Sequence, residues 1–293
     1  MEQSISRHLT DYFNTDYIKL KPVSGGDINL SFKVEIENKN KKENEVESYF
    51  VKANKSKFAY QMFQTESKGL EQLKQGTTKV PKVLLIESLV DEGSILLMEH
   101  LSETVAIEKH WEELAIHLAQ IHRTSETYFG NQYDNFIGTL PQVNNPTSDW
   151  AKFYAERRIL PLTRKCYDNG IFSSSLISQI EKLCARLPLL FPKENPSLLH
   201  GDFWGGNKLA TSKGFYFVDP SVYYGHREMD IAMSLLFGGF NQPFYEHYND
   251  CFPLEKNWQE RVALCQLYPL LVHLTLFGES YLGSVQNVAE KYS

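Results

Sequence analysis

Three side chains set the chemistry open to this sequence. In His200-Gly-Asp-Phe-Trp-Gly-Gly-Asn207 the carboxyl of Asp202 stands five residues before the amide of Asn207, and Asp219 follows twelve residues later in Val-Asp-Pro. Moving a phosphoryl group from ATP to an alcohol asks little covalent chemistry of a protein. It asks for a group that takes the proton of the acceptor hydroxyl, and for hard oxygen ligands to magnesium beside the phosphates. Asp202 suits the first task. Asn207 and a strand-borne Asp219 suit the second, at the offsets that phosphoryl-transfer loops use. Asp and Asn also favour turns, so the spacing gains meaning only from the elements around it.

Those elements can be read on both sides. Leu198-Leu199 is a short strand leading into the loop. Lys208-Leu209-Ala210 and Phe215-Tyr216-Phe217-Val218 form a hairpin around Ser212-Lys213-Gly214 that returns Asp219 toward Asn207. Glu228 to Phe237 carries Met229, Ala232, Met233 and Leu236 at helical spacing, and Asp230 near its start is expected to support the loop backbone, as is His200. Trp204, Tyr223, Tyr224 and His226 have two readings: an aromatic wall facing a sugar, or packing around the loop.

Upstream, residues 1–15 read as a helix, and Tyr17 to Val23 and Ile28 to Ile36 as alternating strands. Between the strands, Ser24-Gly25-Gly26-Asp27 either brings backbone amides close to phosphates or is a plain hairpin turn. Glu37 to Ser48 is a charged, solvated tip. In Tyr49 to Ala53, Lys52 points opposite to Val51 and Ala53. It is either an ordinary solvent-facing lysine or one that holds nucleotide phosphates and pairs with a helix acid. Phe58 to Gln75 offers that acid: Glu66 falls on a side with Phe58, Met62, Leu70 and Leu73, where an unpaired carboxylate would be costly. The rival is an exposed acid at the edge of the stripe. Pro81 to Glu87 and Ser94 to Glu99 form a further hairpin. Its end, Met98, Glu99, His100 and Leu101, is placed to line a purine pocket or is simply a core strand entering a turn.

From Lys109 the pattern turns helical, which divides the chain into a nucleotide-binding part, 1–101, and a part with the catalytic loop, metal site and acceptor site, 102–293. Trp111 to His122 is a helix, and Tyr128 to Trp150, with Gly130, Gly138, Pro141 and Pro146, is irregular. Trp150 to Tyr167 and Ser173 to Leu190 are helices, the first kinked at Pro161, and Pro243–Cys251 and Trp258–Leu282 close the chain.

Composition removes several classes. Thirty Lys and Arg against 36 Asp and Glu leave a net charge of −6, which argues against a nucleic-acid partner. Glu2, Arg7, His8 and Asp11 break any apolar leader, and the greasiest stretch, Leu267 to Phe277, is too short to span a bilayer. Four scattered cysteines without a CxxC pair read as free thiols of a reducing cytoplasm. A monomer is expected.

Glycine turn, strand Lys52, helix Glu66, the Met98–Leu101 junction, the His-Gly-Asp loop and Asp219 follow in the order of the protein-kinase-like superfamily. The sequence resembles its small-molecule branch, the aminoglycoside and choline kinases, in having His-Gly-Asp rather than His-Arg-Asp. That resemblance implies an α+β, bilobal, aminoglycoside-phosphotransferase-like fold, with a five-stranded sheet and one helix in the small lobe. More specifically, the chain resembles the fructosamine kinase family, also called ketosamine-3-kinases or protein-ribulosamine 3-kinases. The resemblance is carried by Pro22-Val-Ser-Gly-Gly-Asp-Ile-Asn29, Phe63-Gln-Thr-Glu-Ser-Lys-Gly-Leu70, Asn135-Phe-Ile-Gly-Thr-Leu-Pro-Gln142 and Asp219-Pro-Ser-Val-Tyr-Tyr-Gly-His-Arg-Glu-Met-Asp230. It implies ATP- and Mg2+-dependent phosphorylation of the 3-hydroxyl of a ketosamine on a glycated amine or protein lysine. The unstable product then falls away, which repairs the amine. Residue by residue, Asp202 is the implied base, Asn207 and Asp219 the magnesium ligands, and Lys52 with Glu66 the phosphate-positioning pair. Gly205-Gly206 stands where relatives often have Ser-Gly, and Asp27 where some eukaryotic members have cysteine, which puts thiol control at the glycine turn in doubt. The alternatives are a kinase of the aminoglycoside or choline type and a catalytically silent binding module. The complete set of Lys52, Asp202, Asn207 and Asp219 speaks against the last.

Overall fold

The computed structural model describes residues 1–24, 28–37, 46–90 and 92–293, so Gly25, Gly26, Asp27 and most of the charged tip lie outside the described residues. Helix α1 (Glu2–Phe13) is followed by β1 (Ile18–Pro22), β2 (Leu30–Glu37) and β3 (Val46–Asn54). Helix α2 (Ala59–Leu73), β4 (Val83–Leu89) and β5 (Gly93–Glu99) complete an antiparallel five-stranded sheet in the order β1-β2-β3-β5-β4.

Strand period decides what each face of this sheet carries. Val51 pairs with Leu97 and Ala53 with Ile95, and these four pack with Ile5 and Leu9 of α1. Lys52 pairs with Leu96 on the opposite face, where Leu96 and Met98 pack against Ala59, Phe63, Leu70 and Leu73 of α2. Lys52 is therefore buried between sheet and helix, only 5% exposed, and not a solvent-facing lysine. The inward face of α2 is rotated from the expected one. Phe58 precedes the helix and is exposed, while Ala59 and Phe63 take the core positions and keep Glu66 at the rim of the stripe.

Helix α3 (Glu108–Arg123) buries Trp111, Leu114, Leu118 and Ile121 in the same cluster as α2, joining the sheet to the helical remainder. The segment expected to be irregular contains a paired β6 (Asn135–Ile137) and β7 (Leu140–Gln142). Helix α4 (Trp150–Phe153) runs through a π-helical turn, Tyr154–Ile159, into α5 (Leu160–Asp168). The expected break at Pro161 thus falls earlier: Pro161 sits in the first turn of α5, where a missing N–H is tolerated. Then come α6 (Ser174–Leu190), β8 (Ser197–Leu199), the hairpin β9 (Lys208–Thr211) and β10 (Gly214–Phe217), and β11 (Tyr223–Gly225), which pairs with β8. Helices α7 (Glu228–Leu236), α8 (Gln242–Cys251), α9 (Trp258–Phe277) and α10 (Leu282–Tyr292) follow. The helix expected over Trp258–Leu282 ends earlier, at Gly278 with φ 95°, and α10 follows as a further helix. Among the described residues no helix is long and apolar enough to cross a membrane.

Candidate active site

The loop between β8 and the 3-10 turn Gly205–Asn207 is held from beneath. Both carboxylate oxygens of Asp230, buried at the start of α7, accept backbone N–H bonds, from His200 at 2.7 Å and Gly201 at 3.0 Å. Asp230 is steadied in turn by Nε2 of His122 at 3.1 Å, whose Nδ1 meets the Tyr248 hydroxyl at 2.7 Å. His200 Nε2 lies 3.0 Å from the Val218 carbonyl, and Ser221 N–H donates to the His200 carbonyl at 2.9 Å. Gly201 is dictated here: its φ is 82°, and a Cβ would lie 2.0 Å from the Ser221 carbonyl oxygen.

Asp202 and Asn207 face one another. The Asn207 Nδ2 donates at 2.8 Å to both the backbone carbonyl and Oδ2 of Asp202. Burial pushes the Asp202 carboxyl up to about 7; the Asn207 hydrogen bond opposes this, and the charges of Asp219 and Asp230 add to it. A carboxyl of that pKa is matched to proton transfer near neutral pH.

Lys52 brings the two parts of the molecule together. Its Nζ donates to Glu66 Oε1 at 2.6 Å and also to Asp219 Oδ1. Burial alone would lower the Lys52 pKa; Asp219 and then Glu66 outweigh it, and the ammonium stays charged. Asp219 adopts φ 56°, left-handed for a residue with a side chain, and its side chain is 46% exposed. Local strain of this kind persists where neighbours hold the backbone, commonly at functional sites.

The donor set fits magnesium. With its Nδ2 committed to Asp202, Asn207 offers a cation its Oδ1, and Asp219 offers exposed carboxylate oxygen. Among the described residues no group of three or more His, Cys, Asp or Glu could hold a metal. Two protein oxygens suit an ion that otherwise draws on substrate phosphates and water. Met98 is buried at the end of β5, and Glu99, His100 and Leu101 carry the chain off the sheet. Glu99 is tied to Lys82, its Oε1 accepting the Lys82 N–H at 2.8 Å. Gly25, Gly26 and Asp27 lie outside the described residues.

The expected sugar-facing wall is corrected. Tyr223, Tyr224 and His226 are 1%, 4% and 1% exposed, so none presents a free face. The period of β11 sends Tyr223 against Phe153 and the Arg158 guanidinium, and Tyr224 toward Tyr128 on the other side. His226 is enclosed by Trp150, Phe191 and Glu194. Trp204 alone is exposed, at 37%. Its ring meets Phe237 edge-on at 6.0 Å, and Phe237 lies 4.6 Å from His273. Phe237 and His273 were not singled out as site residues from sequence. The signal was present in Leu236-Phe-Gly-Gly-Phe240, where an exposed Phe follows α7, but His273 reaches the site only through the packing of α9.

Comparison with known proteins follows this geometry. The fructosamine kinase family profile matches residues 1–293. A ketosamine-3-kinase of Mus musculus is 33% identical, with 83% of this chain and 87% of that protein aligned. A chloroplastic protein-ribulosamine 3-kinase of Arabidopsis thaliana is 34% identical over 97% of this chain and 85% of that protein. A crystal structure from Thermobifida fusca, assigned as a fructosamine-3-kinase, superposes with a TM-score of 0.84 at 31% identity, covering 98% of this chain and 97% of that one. An aminoglycoside phosphotransferase solved with ADP and hygromycin B gives 0.63 at 12% identity, covering 99% and 97% of the two chains, a likeness of fold.

Proposed function

The chain belongs to the fructosamine kinase family, and from that premise we propose that it transfers the γ-phosphoryl group of ATP to the 3-hydroxyl of a ketosamine. The observation that carries the reading is the convergence at Lys52. One buried ammonium bonds Glu66 of α2 and Asp219 beyond β10, while Asn207 bonds Asp202. In this reading residues 1–101 form the nucleotide lobe, with Met98 to Leu101 against the purine and Gly25, Gly26 and Asp27 over the phosphates. Residues 102–293 form the catalytic and acceptor lobe.

Glu66 fixes the Lys52 ammonium, which orients the α- and β-phosphates. Asp219 and the Asn207 amide oxygen would hold magnesium, whose charge offsets that of the phosphates. Asp202, its carboxyl near 7, takes the proton of the sugar hydroxyl as the phosphoryl group moves in line. Asp230 and His200 hold the loop that aims it. Trp204, with Phe237 beside it, gives the acceptor an apolar face against which a sugar ring can lie. The phosphorylated adduct then separates from its amine, making the reaction a deglycation repair in the cytoplasm.

Mass spectrometry of ribulosamine- and fructosamine-modified lysine, incubated with the protein, ATP and Mg2+, tests this directly. Addition of one phosphoryl group to the ketosamines is the expected result. Phosphorylation of an aminoglycoside or choline, with the ketosamines untouched, would sink the proposal.

A further inference from the structure

Asn135 and Gln142, the ends of a sequence run to which the mechanism above gives no task, lie at the centre of a buried amide cluster. Asn131, Asn135, Gln142 and Asn144 are 3%, 3%, 2% and 0% exposed. Donors of the first three converge on two consecutive carbonyls just past Asp219. Asn135 Nδ2 donates to Val222 O at 2.9 Å, joined by Asn131 Nδ2 at 3.4 Å, and Gln142 Nε2 donates to Ser221 O at 3.2 Å. The acceptors of the cluster are filled from behind. Asn135 Oδ1 receives Gln142 at 2.8 Å and Asn144 at 2.9 Å; Gln142 Oε1 receives the Tyr268 hydroxyl at 2.8 Å; Asn144 Oδ1 receives Arg158 at 2.6 Å. Ser221 returns the contact, its hydroxyl donating to the Phe136 carbonyl at 2.8 Å. The same segment seats α2: a Cβ on Gly69 would lie 3.3 Å from the side chains of Pro220 and Val222. Gln72, on α2, receives Asn131 Nδ2 at 3.0 Å and the Tyr133 hydroxyl at 2.5 Å.

We infer that Asn135, Gln142 and Asn131 are positioning residues, which set Asp219 in register with both the catalytic loop and the helix that bears Glu66. Apolar packing resists compression but leaves a backbone free to slide, whereas converging hydrogen bonds fix it at defined points. Buried amides are favourable only when every group is matched, as here. Asp219 needs such anchoring because its left-handed backbone is not self-supporting. The Ser221 carbonyl that Gln142 grips is also the one against which Gly201 is packed, so the cluster acts on the distance between Asp219 and Asp202. The inference rests on the proposed role of Asp219 as a magnesium ligand.

Asn135→Asp keeps both acceptor contacts but turns the donor to Val222 into a carboxylate oxygen that repels that carbonyl; Ser221→Ala removes only the tie to Phe136. Leu183→Ala, in the buried face of α6, serves as a control that lowers stability at a distance. Two readouts are needed: hydrogen exchange of residues 217–224 in protein without nucleotide or metal, and the Mg2+ concentration giving half-maximal rate, set against KM for the ketosamine. Loss of an outer partner of a metal ligand should raise that concentration about tenfold in Asn135→Asp and about threefold in Ser221→Ala. Exchange in 217–224 should quicken in both, while the ketosamine KM stays within about twofold. If both variants lose thermal stability yet keep wild-type Mg2+ dependence and exchange, as Leu183→Ala should, the inference is overturned. Should Asn135→Asp not fold, Ser221→Ala decides alone on the same outcomes. Asp219→Asn separates the premise from the inference: unchanged Mg2+ dependence in that variant overturns the metal role, and the exchange measurement still tests the anchoring.

Discussion

Replacing Asp202 by Asn should stop catalysis and, in the same protein, raise thermal stability at alkaline pH. The folded state holds the Asp202 carboxyl near 7 against an ordinary value of 3.8, chiefly by burial. An acid whose pKa is raised on folding binds its proton more tightly in the native state. Its contribution is therefore most favourable below the unfolded pKa, is lost as pH climbs toward 7, and is constant above. At about 1.4 kcal/mol per unit the full cost of ionising it would be ~4 kcal/mol, and about half that once its partial solvent contact is allowed for. Asn keeps the acceptor that Asn207 uses and carries no charge. Its Tm should exceed that of the wild type by about 4 °C at pH 8, taking ~2 kcal/mol and the usual entropy of unfolding. At pH 5.5 roughly half the gain should remain, because the wild-type carboxyl is then largely protonated in the fold. Scanning calorimetry of ligand-free protein at the two pH values measures this directly. Turnover should fall about 10²–10⁴-fold. A variant no more stable than wild type at pH 8, or a difference that ignores pH, would refute the reasoning about its environment.

Other perturbations have equally definite outcomes. Lys52→Met strands the carboxylate of Glu66 against the sheet; urea titration should show a loss of about 3 kcal/mol, with turnover nearly abolished. Gly201→Ala forces a Cβ onto the Ser221 carbonyl at a backbone angle that suits glycine, and kcat should drop about 10²-fold while a nucleotide-binding titration changes little. Trp204→Leu should raise the ketosamine KM about tenfold and leave that of ATP alone. Tyr224→Phe, altering a ring enclosed away from the acceptor, should keep the ketosamine KM within about twofold.

Local periodicity made much of this site legible. Lys52 could be placed opposite Val51 and Ala53 because strand faces alternate every residue, and Glu66 could be placed near Leu70 because helix faces recur every three to four. Asp202, Asn207 and Asp219 declared themselves by type and offset. The acceptor side was not legible, since the faces of Tyr223 and Tyr224 depend on β11 pairing with β8, with partners 24 residues away in Tyr223↔Leu199 and 26 in Tyr224↔Leu198. The segment from Tyr128 to Trp150 read as irregular for its glycines and prolines. Its order comes instead from amides that bond carbonyls of residues far along the chain. The π-helical turn at Tyr154–Ile159 carried no signal either; it places Arg158 among Phe153, Tyr223 and Tyr268, contacts that only tertiary packing supplies.

The crowding at residue 201 reaches beyond stability. Many signalling enzymes of related architecture answer to phosphate groups added elsewhere, read by an arginine that gains a new anion to grip. A long cation cannot be installed at 201, because even one added carbon would meet the neighbouring peptide at 2.0 Å. The loop is thereby deprived of a cationic sensor at this position.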